Sequence, residues 1–534
     1  MLSKDFIKSA KDFELNCSTQ LSMNELEGTA MEKPTMHMLS VQERAGETKK
    51  TNQYIAAVAA AIGAVIAGTI LAWTSPALPQ LEPPKNTTIT NSTINNVTII
   101  DNNPANISIG NGSVLINSLG QPADFLLDTK ESSLVSSILA IGAALSALPV
   151  GVLVQRMGRR PTILLLAVPF MINWLLTIFA NGAGMLIAAR FFAGLATGGI
   201  CVAAPMYIGE IAETSIRGSL GAFFQLFLTV GILLTFVIGG WTHWRTLSII
   251  SAVLPPLLVA VFWWMPETPQ YLLGKNRRRD AEKVLRWLRG PDADLTGELE
   301  DMQKEVDDAS RQRAGMLSMV TNKASLMALV CSLGLMFFQQ FSGINAVIFY
   351  TNNIFQSAGS NIPPAIATII VGVVQTIATY ISSLLVERAG RRILLLQSCI
   401  IMGLCLVVLG VYFKLQTDGV NVSTVGWLPL VCLVLFIISF SLGFGPIPWM
   451  MMAELFSVEF RGSASGIAVI TNWCLVFIVT LCFPLMKDAI GIYSCFWFFA
   501  AFMLICVFFV FFLIPETKGK TVSQIQAILG GKKV

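Results

Sequence analysis

Three amide side chains lie close together in an otherwise apolar stretch of the chain: Gln339, Gln340 and Asn345. An amide donates and accepts hydrogen bonds without carrying charge, which suits a ligand made of hydroxyl groups, such as a sugar. On a helix, residues 339 and 340 point about 100° apart, so both can line a wide cavity, and residue 345 lies five to six residues further along the chain. The same side chains could instead join membrane helices to one another. The residue types alone leave both interpretations open.

Groups that would support catalysis or metal binding are scarce in the sequence. Only two histidines occur, His37 and His243, and none of the ten cysteines forms a CxxC pair. This pattern predicts neither a metal site nor a disulfide framework. There is no Gly-x-x-x-x-Gly-Lys-Ser/Thr phosphate loop and no evident nucleophile–base pair. We therefore expect no enzyme, no catalytic residue, no cofactor and no ATP-driven pump.

The composition points to a protein whose solvent is lipid. Hydrophobic residues make up 54% of the 534 residues and charged residues 13%, with a mean hydropathy of +0.67. Soluble domains carry about 25% charged residues. Since a membrane helix needs about 20 apolar residues, we predict an all-α polytopic membrane protein embedded in the bilayer, with no nucleic acid partner. Its twelve predicted spans cover residues 54–73, 132–154, 161–180, 185–207, 218–239, 246–265, 325–349, 363–386, 393–413, 426–451, 462–486 and 490–514.

The distribution of positive charge predicts the orientation of these spans. Eleven lysines and arginines fall between residues 266 and 325, whereas the loop over 75–131 holds only Lys85 and Lys130. Positive loops stay in the cytosol, so we expect both termini there. The segments 1–50 and 515–534 would be cytosolic tails, and 266–324 a cytosolic linker with amphipathic helices. We expect no cleavable signal peptide at the start of the chain.

Glycosylation sequons agree with this orientation, because a sequon can be used only on the outer side. Five of them fall in the loop over 75–131, and a sixth falls between the ninth and tenth spans, also predicted outside. The predicted glycosylation sites are Asn86, Asn91, Asn96, Asn106, Asn111 and Asn421. The chain is thus expected to lie in the plasma membrane, with a glycosylated extracellular loop.

Three motifs occur twice along the chain, in the same order. Val154-Gln-Arg-Met-Gly-Arg-Arg-Pro161 matches Val386-Glu-Arg-Ala-Gly-Arg-Arg-Ile393, and Pro266-Glu-Thr268 matches Pro515-Glu-Thr517. Glutamate and arginine seven residues apart also recur, at Glu210 and Arg217 and at Glu454 and Arg461. The repeat predicts two pseudo-symmetric bundles of six helices each, over 51–265 and 325–514.

The motifs together resemble the sugar porter family of the major facilitator superfamily. They comprise the two Gly-Arg-Arg turns, Pro205-Met-Tyr-Ile-Gly-Glu-Ile211, Pro266-Glu-Thr-Pro-Gln-Tyr-Leu-Leu273, Gln339-Gln-Phe-Ser-Gly-Ile-Asn345, Gly445-Pro-Ile-Pro-Trp449 and Pro515-Glu-Thr-Lys-Gly-Lys520. Within that family, residues 334–351 and 439–449 are similar to the insect-type facilitated trehalose transporters. The resemblance implies the major facilitator fold and a neutral sugar as substrate.

The resemblance also implies which residues contact the sugar. The family's polar contact positions and its aromatic platform fall on Gln225, Gln339, Gln340, Asn345, Gln375, Trp449, Asn472 and, as a weaker match, Trp473. A tryptophan near the end of a span can instead anchor the helix at the membrane interface. Glycines and prolines interrupt the tenth span, and Gly343 interrupts the seventh. We interpret these two spans as moving gates, against the alternative of static kinks in a fixed bundle.

The repeated charges suggest a lock at the cytosolic ends of the spans. It would comprise Arg159, Arg160, Glu210, Arg217, Glu267, Glu387, Arg391, Arg392, Glu454 and Arg461. Simple positive-inside anchoring would explain the arginines but not the glutamates at matched spacing. Each exposed pair contributes about 0–1 kcal/mol, so such a network can switch easily.

The lack of carboxylates in the first span predicts that transport is not coupled to a proton gradient. No Asp or Glu occurs over 54–73, and Ile70 stands where related proton-coupled sugar carriers have a carboxylate. Ser441 replaces a glutamate that many hexose carriers have, and Arg190 should face the bundle and a partner. We therefore expect a facilitative uniporter that works by alternating access, with trehalose as substrate. The alternatives are a hexose carrier, a proton-coupled symporter and a sugar sensor that does not transport; no obligate protein partner is evident.

Overall fold

The computed structural model describes most of the chain and confirms twelve spans. Within the described residues, twelve helical segments are long and apolar enough to cross a bilayer. All described helices lie in one compact unit, Lys49–Pro291 together with Leu295–Val534. The described residues are 49–83, 97–99, 106–109, 112–115, 124–213, 215–291, 293–311, 322–359, 362–456, 458–520 and 522–531.

Four of the twelve spans consist of more than one helix. In the first half, spans 1 to 6 are formed by Thr51–Ala72 with Thr74–Ala77 and Leu78–Gln80, then Thr129–Met157, Arg159–Ile178, Ala183–Ile211, Arg217–Gly239, and Trp244–Ser251 with Leu254–Phe262. In the second half, spans 7 to 12 are formed by Lys323–Phe341 with Ile344–Ala358, then Pro364–Ala389, Arg391–Thr417, Ser423–Val425 with Leu428–Leu442 and Ile447–Leu455, Val458–Ile490 and Ile492–Leu513. Shorter helices cover Pro269–Gly274, Arg278–Arg289, Thr296–Arg311 and Val522–Leu529.

The two ends of the bundle differ in charge. We call the end that carries Arg159, Arg217 and Arg391 the basic face, and the end that carries Leu81 and Asp128 the loop face. At the basic face, spans 2 and 3 are joined by a single residue, Gly158, whose φ of +106° suits glycine. A Cβ there would come within 2.2 Å of the Glu267 carboxylate. The sharp turn therefore places a carboxylate directly over the start of span 3.

The first half packs through glycines that let helix backbones touch. A Cβ on Gly68 of span 1 would lie 2.1 Å from the Leu228 carbonyl, and one on Gly231 of span 5 would lie 2.1 Å from the Val65 carbonyl. Spans 2 and 4 meet in the same way at Gly194, where a Cβ would come within 2.0 Å of the Leu139 carbonyl. Small residues provide such close contacts in membranes, where water does not drive helices together.

The loop face contains structure that the sequence did not predict. Three short strands, β1 (Val97–Ile99), β2 (Asn106–Ile109) and β3 (Gly112–Leu115), form an antiparallel sheet in the order β1–β2–β3. The predicted all-α class holds for the spans. Of the predicted glycosylation sites, Asn106 begins β2, whereas Asn86, Asn91, Asn96 and Asn111 lie outside the described residues.

Span 1 continues past the predicted start of the outer loop at residue 75. Its helical path runs on to Gln80, whose side chain is buried. The Gln80 Oε1 accepts from the Trp244 amide at 2.9 Å, and its Nε2 donates to the Thr242 carbonyl at 3.3 Å. In a loop, water would solvate these polar groups. Here the hydrogen bonds satisfy them, so this part of the chain stays inside the bundle.

Candidate functional site

Four of the eight predicted contact residues form one hydrogen-bonded network. Gln339 of span 7 donates from Nε2 to the backbone carbonyls of Phe444 at 2.6 Å and Gly445 at 3.2 Å. The Asn472 Nδ2 of span 11 donates to the Gln339 Oε1 at 2.9 Å. Both side chains are buried. Gln339 therefore connects spans 7, 10 and 11 at one point.

The network continues along span 7. The Gln340 Nε2 lies 3.5 Å from the Gln339 Oε1, and the Asn345 Nδ2 donates to the Gln340 Oε1 at 2.5 Å. Gln340 is buried and Asn345 is partly buried. Every member is a neutral amide that can both donate and accept, so the arrangement can exchange these bonds for bonds to sugar hydroxyls.

The break in span 7 explains how Asn345 comes to this place. The first helix ends at Phe341 and the second begins at Ile344, with Gly343 between them in the left-handed conformation at φ +83°. A Cβ on Gly343 would also approach the Phe499 ring to 2.8 Å. Glycine thus allows both the turn and the close contact.

The break in span 10 supplies the carbonyl groups that Gln339 binds. In a regular helix the Phe444 carbonyl would accept from the amide of residue 448, but Pro448 has no N–H. The Gln339 side chain takes that place. The sequence showed the prolines but not which side chain would satisfy the freed carbonyl, because that depends on the distance between the two spans.

Two further predicted residues are buried with a polar atom that has no hydrogen-bond partner among the described residues. They are Gln375 of span 8, through Oε1, and Trp473 of span 11, through Nε1. Buried polar atoms are nearly always hydrogen-bonded. A free acceptor and a free donor therefore fit contacts to a polar ligand.

The remaining two predicted residues form no hydrogen bond with the network within the described residues. Trp449 is partly buried and packs beside Met336, Met452 and Ala468. Gln225 of span 5 is partly buried, and no hydrogen bond joins it to the amides within the described residues. Met336 was not predicted; its Sδ accepts from the Asn472 Nδ2 at 3.3 Å.

Hydrogen bonds join the two halves on the loop face. The Thr74 Oγ1 of span 1 donates to the Phe349 carbonyl of span 7 at 3.2 Å, and the Asn352 amide donates to the Ser75 Oγ at 3.2 Å. Asn353 adds a bond from Nδ2 to the Glu82 Oε2 at 3.0 Å. We call these three bonds the loop-face latch. They hold the second helix of span 7 against the end of span 1.

On the basic face, the predicted charges pair within each half. In the first half, Arg159 forms an ion pair with Glu210 at 2.6 Å, and the Arg159 and Arg160 amides donate to the Glu267 carboxylate at 3.1 Å each. The Thr268 Oγ1 donates to the second oxygen of Glu210 at 2.6 Å. We call this arrangement the first cluster.

The second half repeats the arrangement without the hydrogen bond from threonine to glutamate. Arg391 pairs with Glu454 at 2.9 Å, and the Arg391 and Arg392 amides donate to the Glu516 carboxylate at 3.0 Å each. Here the Thr517 Oγ1 and the Glu454 Oε2 are buried, and neither has a hydrogen-bond partner in the part of the chain that the structure describes. We call this arrangement the second cluster. Arg217 is exposed, and the side chains of Glu387 and Arg461 lie outside the described residues.

The two bound carboxylates differ in pKa. Burial raises the pKa of Glu267 above its usual value and outweighs the backbone N–H groups that lower it. At Glu516 burial is again the largest single cause, but the N–H groups of residues 391, 392, 517 and 518 together lower the pKa.

Arg190 faces the bundle, as expected, but its partners are backbone carbonyls. It is 2% exposed and donates to Ile70 at 2.7 Å and to Val135 at 3.3 Å. The Trp73 ring lies 5.8 Å away. In the part of the chain that the structure describes, Arg190 forms no ion pair with a carboxylate.

Comparison with known proteins identifies the family. A family profile described as "Sugar (and other) transporter" matches residues 54–529. The facilitated trehalose transporter Tret1 of Drosophila virilis is 39% identical over 90% of this chain and 49% of its own length. Trehalose transporter 1 of Drosophila melanogaster is 39% identical over 90% of this chain and 52% of its own length. The chain thus spans about half the length of the curated relatives it matches.

A solved structure shows the fold. The xylose transporter XylE from E. coli, in a partially occluded inward-open conformation, superposes with a TM-score of 0.69. The two are 21% identical, and the match covers 88% of this chain and 100% of that chain. The chain shares the fold of this transporter, and it is a multi-pass membrane protein that belongs to the family of sugar (and other) transporters.

Proposed function

We propose that this protein is a facilitative sugar transporter that works by alternating access, with trehalose as its substrate. The observation that carries the proposal is the amide network of Gln339, Gln340, Asn345 and Asn472, placed where spans 7 and 10 are broken. Gln375 and Trp473 add a free acceptor and a free donor. The names of the Drosophila relatives support trehalose among neutral sugars.

Uniport is favoured by the chemistry around Arg190. A proton-coupled carrier needs a titratable group in its path. Here the guanidinium of Arg190 is held by the Ile70 and Val135 carbonyls, which do not titrate. Ser441, at the position of a glutamate in many hexose carriers, is buried and neutral. These residues give transport no proton-dependent step.

Alternating access is supported by the different bonding at the two faces. The loop-face latch joins the halves through spans 1 and 7, whereas the described ion pairs of the two clusters stay within each half. Release of the latch would open the loop face. Re-pairing of the charges across the halves would close the basic face, which is the lock that the sequence suggested.

The proposed location is the plasma membrane, with both termini in the cytosol and the loop face outside. The arginines of the basic face support this orientation. Asn421, a predicted glycosylation site on the loop face, is exposed, and its Oδ1 accepts from the Ser423 amide at 3.0 Å. An attached glycan would extend into solvent.

Uptake by the full chain in reconstituted vesicles tests this function. Labelled trehalose and labelled glucose are compared at two external pH values, with and without an imposed proton gradient. We expect saturable trehalose uptake that equilibrates and does not respond to the gradient. Accumulation driven by the gradient would show a symporter, glucose uptake without trehalose uptake a hexose carrier, and binding without flux a sensor.

A further inference from the structure

A cavity on the basic face lies away from the amide network. It has a volume of about 430 Å³ and is lined by Arg160, Trp263, Trp264, Met265, Pro266 and Trp287. It opens at the end of span 6, where the apolar part of the span gives way to the linker. Its volume falls within the range of small-molecule sites, about 300–1,000 Å³. We call it the tryptophan cavity.

The side chains of the three tryptophans of this cavity are exposed. Trp264 is 80% exposed, Trp263 57% and Trp287 38%. No protein acceptor is found for their indole N–H groups among the described residues. Tryptophan favours the membrane interface, where the ring contacts acyl chains and the N–H binds headgroups. The cavity thus offers donors and apolar surface at the depth of the headgroups.

Arg160 brings a positive charge to the cavity, and the nearby Glu267 carboxylate accepts from the Arg160 backbone amide at 3.1 Å and not from its guanidinium. Its Nη2 donates to the Trp263 carbonyl at 2.5 Å, its guanidinium lies 5.8 Å from the Trp263 ring, and its Nε is buried without a partner. In the described part of the chain, no carboxylate forms an ion pair with it. The neighbouring Arg159, in contrast, is neutralised by Glu210. Arg160 can therefore pair with an anion from outside the protein.

A basic stripe leads to the cavity along the linker helix Arg278–Arg289. Arg279, Lys283 and Trp287 are four residues apart, so they share one face of the helix, and all three are exposed. The opposite face is fixed to the bundle: the Asn52 Nδ2 donates to the Trp287 carbonyl at 2.6 Å, and Leu285 is buried. The helix is thus held with its basic face directed outwards beside the cavity.

We propose that the tryptophan cavity binds an acidic phospholipid. The headgroup phosphate would accept from the Arg160 guanidinium and the indole N–H groups, and an acyl chain would lie against Trp264 and Met265. Basic pockets at the cytoplasmic ends of membrane helices bind anionic headgroups in this way. The bound lipid would tie span 3, span 6 and the linker helix together.

The second half provides a matched control. Arg392 corresponds to Arg160: its Nη2 donates to the Phe511 carbonyl, and its guanidinium lies 5.4 Å from the Phe511 ring. Phe512, next to Phe511 as Trp264 is next to Trp263, is 75% exposed. Phenylalanine has no N–H to donate. The second half therefore has the cation and the apolar rings but not the indole donors.

Thermal stabilisation of the purified full chain in a neutral detergent tests the proposal. Phosphatidylglycerol, phosphatidylcholine or inorganic phosphate is added to the wild type and to Arg160→Gln, Trp264→Leu and Phe512→Leu, and each melting temperature is compared with that variant's own baseline. We expect phosphatidylglycerol alone to stabilise the wild type. The concentration for half of the shift should rise about five-fold in Arg160→Gln, rise in Trp264→Leu and stay unchanged in Phe512→Leu.

Three outcomes would overturn the proposal. Equal shifts in all four proteins would place lipid binding elsewhere. Equal shifts with phosphatidylcholine would remove the role of charge, and the same shift with inorganic phosphate would assign the cavity to a free anion. Trp264→Leu still tests the proposal if Arg160→Gln does not fold, because the Trp264 side chain forms no hydrogen bond within the described residues. The readout does not involve sugar, so its result is independent of the proposed transport function.

Discussion

The two halves of the molecule have the same ion pairs at the basic face. They differ within the membrane, where span 4 of the first half and span 10 of the second half are built differently. Arg159 with Glu210 and Arg391 with Glu454 form the same pair in each half. Span 4, however, is one helix, Ala183–Ile211, whereas its counterpart, span 10, breaks before Ile447. The two copies of the repeat thus share the ion pair of the basic face and differ in the continuity of this span within the membrane.

We attribute structural support to the first half and sugar binding to the second half. Glycines of the first half meet backbone carbonyls of neighbouring spans, as at Gly68, Gly194 and Gly231. In the second half, the broken spans carry carbonyl groups and amides that bind one another, as Gln339 binds Phe444. We infer that the first half is a rigid frame and that the second half holds the sugar and moves.

The largest effect is expected from Gly194→Ala in the frame. The new Cβ would lie 2.0 Å from the Leu139 carbonyl, which belongs to the backbone of span 2 and cannot rotate away. Overpacking of this kind costs about 3 kcal/mol. We expect a lower melting temperature and poor recovery of folded protein in size-exclusion chromatography.

Gly184→Ala, in the same span, is the matched control. Apart from its own chain neighbours and helix backbone, no described atom lies within 4 Å of the Cβ that it would add, so the melting temperature should not fall. If both variants melt alike, spans 2 and 4 are not in backbone contact, and the first half is not the frame described above.

The next largest effect is expected from Gln339→Leu in the second half. The change leaves the Phe444 carbonyl and Asn472 without their partner and removes the proposed sugar contact. A lost buried hydrogen bond costs about 1–3 kcal/mol, so the kcat/KM of uptake should fall about ten- to one-hundred-fold. Initial rates in reconstituted vesicles measure this change.

Gln416→Leu controls for the loss of an amide as such. Gln416 also donates to backbone carbonyls of the second half, Ser357 at 3.2 Å and Ala358 at 3.3 Å, but at the loop-face end of span 9. Its uptake should stay close to that of the wild type. An equal loss in both variants would mean that Gln339 acts through stability and not through the sugar.

The two clusters allow a smaller and more specific comparison, with Thr268→Val and Thr517→Val. The Thr268 hydroxyl donates to Glu210 at 2.6 Å, whereas the Thr517 hydroxyl has no partner among the residues that the structure describes. Thr268→Val should lower the free energy of unfolding by about 1 kcal/mol, and Thr517→Val should leave it nearly unchanged. Thermal melts in the same detergent measure both, and equal losses would refute the asymmetry of the clusters.

The smallest expected effect is the change in the melting temperatures of two variants at acidic pH. The lowered pKa of Glu516 means that its stabilisation is present above the ordinary value of 4.5 and is lost as the pH falls through the lower folded pKa. The raised pKa of Glu267 has the opposite sign, because its contribution is lost as the pH rises through the higher folded pKa. The difference in melting temperature between the wild type and Glu516→Gln should therefore shrink in acid.

The corresponding difference between the wild type and Glu267→Gln should grow in acid. Both pH series are run on the same preparations. Parallel curves for the two variants would contradict the different environments of the two carboxylates.

Most of the architecture was predictable because lipid imposes a simple rule. Twelve apolar runs, the two Gly-Arg-Arg turns and the repeated Pro-Glu-Thr motifs predicted the spans and their division into halves. The amides of span 7 were predicted from type and resemblance. What spacing could not predict was which partner each group meets, since that depends on distances between helices: the Phe444 carbonyl for Gln339, the Ile70 carbonyl for Arg190, and pairing of the basic-face charges within halves.

The central claim is that the second half binds the sugar and moves while the first half stays fixed. Hydrogen–deuterium exchange on the reconstituted protein, with and without trehalose, tests it most directly. We predict that the sugar slows exchange at residues 339–347 and 443–449, around the two breaks, and leaves 183–211 of span 4 unchanged. Equal protection of span 4 and span 10, or protection confined to the first half, would contradict the claim.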